Sequence, residues 1–179
     1  MSKSTFVWGG SLIDRMLGAA RLNANVYREI VNDGRATGQA LVVVALVSTA
    51  RVVGAMLAGE DIHLVIALIV GLVDGVLNWV MWALFIWLFG MTLLKMENTN
   101  AGWGQMVRAT GFAQTPGLLS VIGFIPDITF LILAATFAWT FVCTVVAVRQ
   151  SLGYTSTTRA VFVILLASIP VAAVKFVIL

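Results

Sequence analysis

Charge is what this sequence has least of. Asp, Glu, Lys and Arg make up 11% of its 179 residues, against 60% hydrophobic, where soluble domains usually carry about a quarter charged. So little charge cannot cover a water-facing surface, which excludes an ordinary soluble domain. Cysteine occurs once, at Cys143, so no intrachain disulfide can form. Histidine also occurs once, at His63, so neither a His/Cys metal site nor a cofactor held by one is expected. The net charge of +3 is small and scattered, without the basic face that nucleic-acid binding needs. No apolar run of signal-peptide length and no cleavage-like end occurs before Arg35, so no signal peptide is expected.

Catalytic sets are missing too. There is no phosphate-cradling glycine loop and no pair of carboxylates at a common depth, and Glu97 is the only carboxylate on the largest polar connector. The many Ser and Thr hydroxyls have only His63, at a turn, to serve as imidazole base. An enzyme is not expected.

What the chain does have is long apolar runs. About 20 such residues cross a hydrocarbon core of ~30 Å at ~1.5 Å per residue. The expectation is an all-α polytopic membrane protein with five transmembrane helices and an N-terminal amphipathic interfacial helix. It divides at Ala36 into a cytoplasmic segment, 1–35, and a five-helix domain, 36–179. The expected spans are Ala36–Ala58, Ile62–Leu94, Gln105–Ile122, Ile128–Val148 and Ala160–Ile178. The second would be ~50 Å as one helix, so it should be tilted or protruding. Gly59 to Asp61 makes a tight acidic turn, and Gly123 to Asp127 makes another, with Asp127 expected to cap the next helix.

Before the first span, Ser11 to Asp33 reads as a pair of amphipathic helices. Leu12, Ile13, Met16, Leu17 and Ala20 share one face of the first, opposite Asp14, Arg15, Gly18 and Arg21. Ser11 and Asp14 have capping-box spacing, and Asn25 is the expected cap of the second helix. Val26, Tyr27, Ile30 and Val31 form its apolar stripe. Such helices either lie in the headgroup plane or pack on the protein's own spans, and the pattern allows both.

Cation placement supports the topology. Lys3, Arg15, Arg21, Arg28 and Arg35 precede the first span, and Lys95, Arg108, Arg149 and Arg159 flank the even-numbered connectors. The other turns carry only Glu60, Asp61 and Asp127. By the positive-inside rule the N-terminus is cytoplasmic and the C-terminus outside. Trp8 and Trp103 suit interface anchors.

A few polar groups fall at membrane depth. Arg51 and Asp74 are either a proton or ion path, or a buried ion pair or snorkelling charges; the absence of a further acidic chain favours the structural reading. Gly71, Gly75 and Asn78 share a face that should meet another helix, of this chain or a neighbour. Trp79, Trp82 and Trp87 read as packing or lipid-facing aromatics rather than a cofactor box. Gln114, Thr115 and Pro116 interrupt the third span, where the proline deletes a donor and orphans a carbonyl near Phe112. They mark either a polar cavity or a kink, and a kink is the simpler reading.

Three stretches carry a family likeness. Gly102 and Gly104 lead into ATGFAQTP (109–116), with Gly111, Phe112, Ala113 and Pro116 in register. Trp139 through Arg149 reads WTFVCTVVAVR, and Ser156 to Ala160 reads STTRA. VYREIVNDGRATGQA (26–40) precedes the first span. In these the chain resembles the Yip family of five-span, Rab-GTPase-interacting membrane proteins, in its prokaryotic branch. The resemblance implies a cytosolic N-terminus, five spans and the inner membrane of a prokaryote. The long cytosolic domain and the Asp-Leu-Tyr-Gly-Pro signature of the eukaryotic branch are absent, so a small-GTPase partner is not expected. The expected function is association with the lipid bilayer and with an integral membrane protein partner or further copies, as a scaffold or accessory subunit. The alternative is a small transporter, channel or lipid-handling protein with a polar path near Asn78, Gln114 and Pro116.

Overall fold

A computed structural model describes residues 10–60, 63–97 and 99–178. Trp8 and Asp61, expected as an interface anchor and part of an acidic turn, lie outside these. Two short helices, α1 (Leu12–Ala20) and α2 (Ala24–Asn32), form an arm. They are followed by α3 (Ala36–Leu57), α4 (Leu64–Thr92), α5 (Trp103–Ala113), a 3-10 segment Thr115–Ile122, a 3-10 turn Pro126–Ile128, α6 (Thr129–Leu152) and α7 (Thr157–Ile178). Every described secondary-structure element is helical.

Four helices are long and apolar enough to cross a membrane among the described residues: Ala36–Leu57, Leu64–Thr92, Pro126–Leu152 and Thr157–Val177. The chain is an integral membrane protein in contact with lipid. α4 is unbroken over 29 residues, or ~44 Å, so the long second segment is a single helix. Its outer face, with Val65, Ile69, Val73 and Leu77 exposed, has no water-facing counterpart in composition. Lipid is its natural solvent.

The segment expected as the third span, Gln105–Ile122, is not among these four helices; it is a composite. α5 stops at Ala113 and the next eight residues wind more tightly as 3-10 helix. End to end, 11 residues at ~1.5 Å and eight at ~2.0 Å give about 32 Å. This composite lies against α3, and the glycines show how closely. A Cβ added at Gly111 would stand 2.8 Å from that of Ala40, one at Gly117 2.6 Å from Val47 Cγ1, and one at Gly54 2.5 Å from the Ser120 carbonyl oxygen. The contacts advance along both elements in the same direction. Packing against α3 and α6 therefore compensates for the broken helical ladder.

A neighbouring side of α3 receives α4. A Cβ on Gly75 would overlap Ser48 Oγ, and one on Gly71 would stand 2.7 Å from Val52 Cγ2. The small-residue face of α4 thus meets a helix of its own chain, a choice its spacing left open. Ser48 is buried.

Two expected caps are placed differently. Asn23, not Asn25, caps α2, its side chain accepting the Asn25 N–H at 3.0 Å. Asp127 caps nothing: it sits within a 3-10 turn, and Thr129 Oγ1 donates to the carbonyls of Gly123 and Ile125 at 2.8 and 2.7 Å instead. Ser11 caps α1 as its spacing predicts, accepting the Asp14 N–H at 3.2 Å and donating to its carboxylate at 2.7 Å.

The α3–α4 seam yields a measurable coupling. Gly75→Ala should destabilise the parent by roughly 1–3 kcal/mol through overpacking. In a Ser48→Ala background the loss should shrink, because the overlapping oxygen is gone; thermal melts of the four proteins in detergent give the coupling, expected at 0.5 kcal/mol or more. Additive losses would show that the two helices do not meet there.

Candidate functional site

The polar chemistry gathers where the arm meets the bundle. Arg15 is only 4% exposed, although the helical period of α1 places it on the polar face. A buried guanidinium needs acceptors, and α2 and α3 supply them. Nε and Nη2 donate to Glu29 at 3.2 and 3.0 Å, Nη2 to Asp33 at 2.5 Å, and Nη1 to Gln39 at 2.7 Å. Glu29 and Asp33 are four residues apart, hence on one face of α2. That spacing was the available signal for this cage, but nothing local pairs it with a residue more than a dozen positions earlier.

The cage sets the rotation of α1. Gly18 turns inward as well, where an added Cβ would stand 2.6 Å from Val26 Cγ2. Consequently Ile13 is 68% and Leu17 46% exposed, so this part of the apolar face does not pack on the protein's own spans. Met16 and Ala19 remain buried. In α2 the expected stripe is observed: Val26, Tyr27, Ile30 and Val31 are buried, packed on α5 and α6.

The ends of both arm helices would leave carbonyls without partners, and the bundle fills them. Arg108 of α5 donates from Nε to the Ile30 carbonyl at 3.1 Å and from Nη2 to that of Val31 at 2.6 Å. A cation here also meets the negative end of the α2 dipole. Trp139 Nε1 of α6 donates to the Ala20 carbonyl at 2.8 Å. The Ala19 carbonyl accepts from Tyr27 Oη at 3.3 Å and from Cys143 Sγ at 3.5 Å. Beyond the arm, Tyr154 Oη bridges the carbonyls of Gly90 and Leu94 at 3.1 and 2.9 Å. Trp87 Nε1 donates to the Ala101 carbonyl at 2.8 Å.

The residues of the predicted signature are distributed along this arrangement. Gly102 is the N-cap of α5, its N–H donating to Gln105 Oε1 at 2.8 Å. Gly104 sits beside the Arg108 side chain. Gly111, Phe112, Ala113 and Pro116 are buried along the α3 seam. Arg149 donates to the Tyr154 carbonyl at 3.3 Å and Thr157 Oγ1 at 3.4 Å, closing the turn between α6 and α7 over Gly153, whose φ of +67° is left-handed.

The intramembrane candidates do not converge. Asp74 pairs with Lys175 of α7 at 4.0 Å, not with Arg51, and both partners are largely exposed. The Gly71–Gly75 contact turns the neighbouring Asp74 toward α7. Arg51 faces instead a cleft of about 210 Å³ beside Gly54, Glu60, Ser120 and Thr129. Asn78 and Gln114 are half-buried. Around the break, Thr115 Oγ1 donates to the Phe112 carbonyl at 2.7 Å and Ser120 Oγ to that of Gly117 at 2.7 Å. The carbonyl that Pro116 orphans is therefore satisfied, the signature of a kink. Trp79 packs inward and donates to the Val107 carbonyl and Thr110 Oγ1, each at 3.2 Å.

The guanidinium of Arg15 and the Arg35 N–H hold the Asp33 carboxyl below its usual range. A depressed folded value stabilises the fold fully above the ordinary aspartate pKa of about 3.9, and the contribution is lost as pH falls through the folded value. Melting temperature should therefore fall below about pH 4, and Asp33→Asn should flatten that acid limb. Arg15→Ala should cost about 2 kcal/mol at neutral pH: less than a fully buried pair, since both carboxylates are about one-third exposed. A parent and Asp33→Asn protein with superimposable pH profiles would remove Asp33 from the cage.

Residues 23–179 match the family model described as the Yip1 domain. No curated protein and no solved structure matches the chain.

Proposed function

The chain belongs to the Yip1-domain family, and from that premise we propose a non-enzymatic membrane protein that acts by association. Its partner is another integral membrane protein or a further copy of itself, which it serves as a scaffold or accessory subunit. The observation that carries this reading is the arm. It is held to the bundle through Arg15, Arg108 and Trp139, yet it keeps Ile13, Leu17 and Leu22 exposed. Nothing in the described part of the chain covers those side chains. Held rigidly, they form a small apolar row at the end of the bundle, preorganised for contact.

Five crossings are part of the proposal. The α5–3-10 composite is supported as the third by its length of about 32 Å and its course along α3. The positive-inside distribution then puts the arm in the cytoplasm and the C-terminus outside, in the inner membrane of a prokaryote as the family resemblance implies. A small GTPase is not part of the proposal. The transporter alternative is weaker because the hydroxyls beside Pro116 are spent on backbone carbonyls.

Purification of the native protein in a gentle detergent should co-isolate a stoichiometric membrane partner or a homo-oligomer. Ile13→Asp with Leu17→Asp should abolish that association without lowering the melting temperature; a clean parent monomer counts against the whole reading. For topology, reporters fused to the two termini should report opposite faces, and a shared face would rule out five crossings.

A further inference from the structure

We propose that the polar cleft between α2, the start of α5 and the end of α6 binds a phosphoryl group, carried by a lipid headgroup in the adjacent leaflet or by free phosphate. The cleft has a volume of about 250 Å³, just below the ~300–1,000 Å³ of sites for drug-sized ligands. That suits a small polar group and not a nucleotide or an acyl chain. Its polar lining is Arg28, Asn32, Asn100, Gln105, Gln150 and Ser151, with no carboxylate.

Two features point to an anion. Arg28 is the charged group of the lining; its guanidinium donates to Asn25 Oδ1, four-fifths of a turn away on α2, and pairs with no carboxylate among the described residues. Gln105 stands in the first turn of α5, where unpaired N–H groups and the positive end of the helix dipole favour negative charge. Its Oε1 accepts the Gly102 N–H, which leaves the two donors of its amide group for a ligand. The ends of α6 and α2 that line the cleft carry the opposing negative potential, which the Tyr154 N–H reduces at the Arg149 carbonyl (3.0 Å) and the Arg108 guanidinium reduces at the Ile30 and Val31 carbonyls.

Ser151 is the independent observation. It lines the cleft and is 6% exposed, and its Oγ is buried without a hydrogen-bond partner among the described residues. A helical Ser or Thr ordinarily relieves this by donating to a carbonyl one turn back, as Thr144 does to Thr140 at 2.8 Å. Ser151 does not. Rotated into the cleft, that hydroxyl reaches a phosphoryl oxygen, which accepts it, and Arg and amide N–H groups complete the coordination.

The test uses the full chain in a maltoside detergent, which itself carries no phosphate. Inorganic phosphate and a short-chain phosphatidylglycerol are titrated separately by calorimetry at constant ionic strength, with chloride as control anion. Saturable binding of at least one probe is expected. Arg28→Gln should weaken it tenfold or more. Ser151→Ala should weaken it several-fold while leaving the ligand-free melting temperature unchanged or higher, because an unpaired buried hydroxyl contributes nothing to stability. Binding of both probes assigns the site to the phosphoryl group itself; binding of the lipid alone assigns it to the headgroup. Failure of both probes to saturate, or an affinity unchanged by either substitution, overturns the proposal. The site is independent of the association reading, which fails by a different measurement.

Discussion

A backbone carbonyl that leaves a helix end near a membrane has little water to turn to, and an unpaired one costs several kcal/mol in hydrocarbon. Most of the distinctive polar side chains of this protein answer that constraint. Trp139 serves the end of α1 and Arg108 the end of α2. Tyr154 serves the end of α4 and Trp87 the approach to α5. Each is a donor on a large apolar or amphipathic stem, able to reach a carbonyl while covering surface. Each donor also sits on a different element from its acceptor, so capping and tertiary packing are one event. The arm is part of the bundle for this reason, although it is too polar to enter the membrane.

The same constraint governs the break in the third apolar segment. Pro116 removes a donor, and the chain responds locally: tighter 3-10 turns, with Thr115 and Ser120 hydroxyls returned to the carbonyls of Phe112 and Gly117. The tertiary response is a row of small residues. Gly111 and Gly117 on the composite, and Gly54 on α3, bring the two backbones together, where dispersion contacts replace the lost ladder bond. Gln114-Thr115-Pro116 is thus a built feature of the packing. Its polarity is consumed by the backbone, which leaves the chemistry of the molecule to its arm end.

Much of the fold was legible because hydropathy is a local property. α3 and α4 end within two residues of their expected limits at Ala36, Leu94 and Ala58. The stripe Val26, Tyr27, Ile30 and Val31 is buried as its period requires. Long-range placement was not legible. The period of α1 groups Ile13 and Leu17 with Met16, opposite Arg15, without saying what that face meets; the structure buries Met16 and Arg15 and exposes Ile13 and Leu17, because the cage of Glu29, Asp33 and Gln39 sets the rotation of the helix. Arg51 and Asp74 invited pairing by similar depth, but depth says nothing about the rotation of a helix around its own axis. Lys175 lies on the side to which Asp74 turns. The cleft around Ser151 could not be read at all, since its lining comes from three separated stretches.

By itself the sequence determined the solvent of this protein, the presence of its four long apolar helices, the break at Pro116 and its family. Each of these depends on residue type and local spacing, because the bilayer imposes one thickness and one demand, that backbone groups be satisfied. Only the tertiary structure decided which donor meets which carbonyl, which way α1 faces, and that the glycine face of α4 closes on α3. Those are relations between surfaces far apart in the chain, settled by the fit of one helix against another.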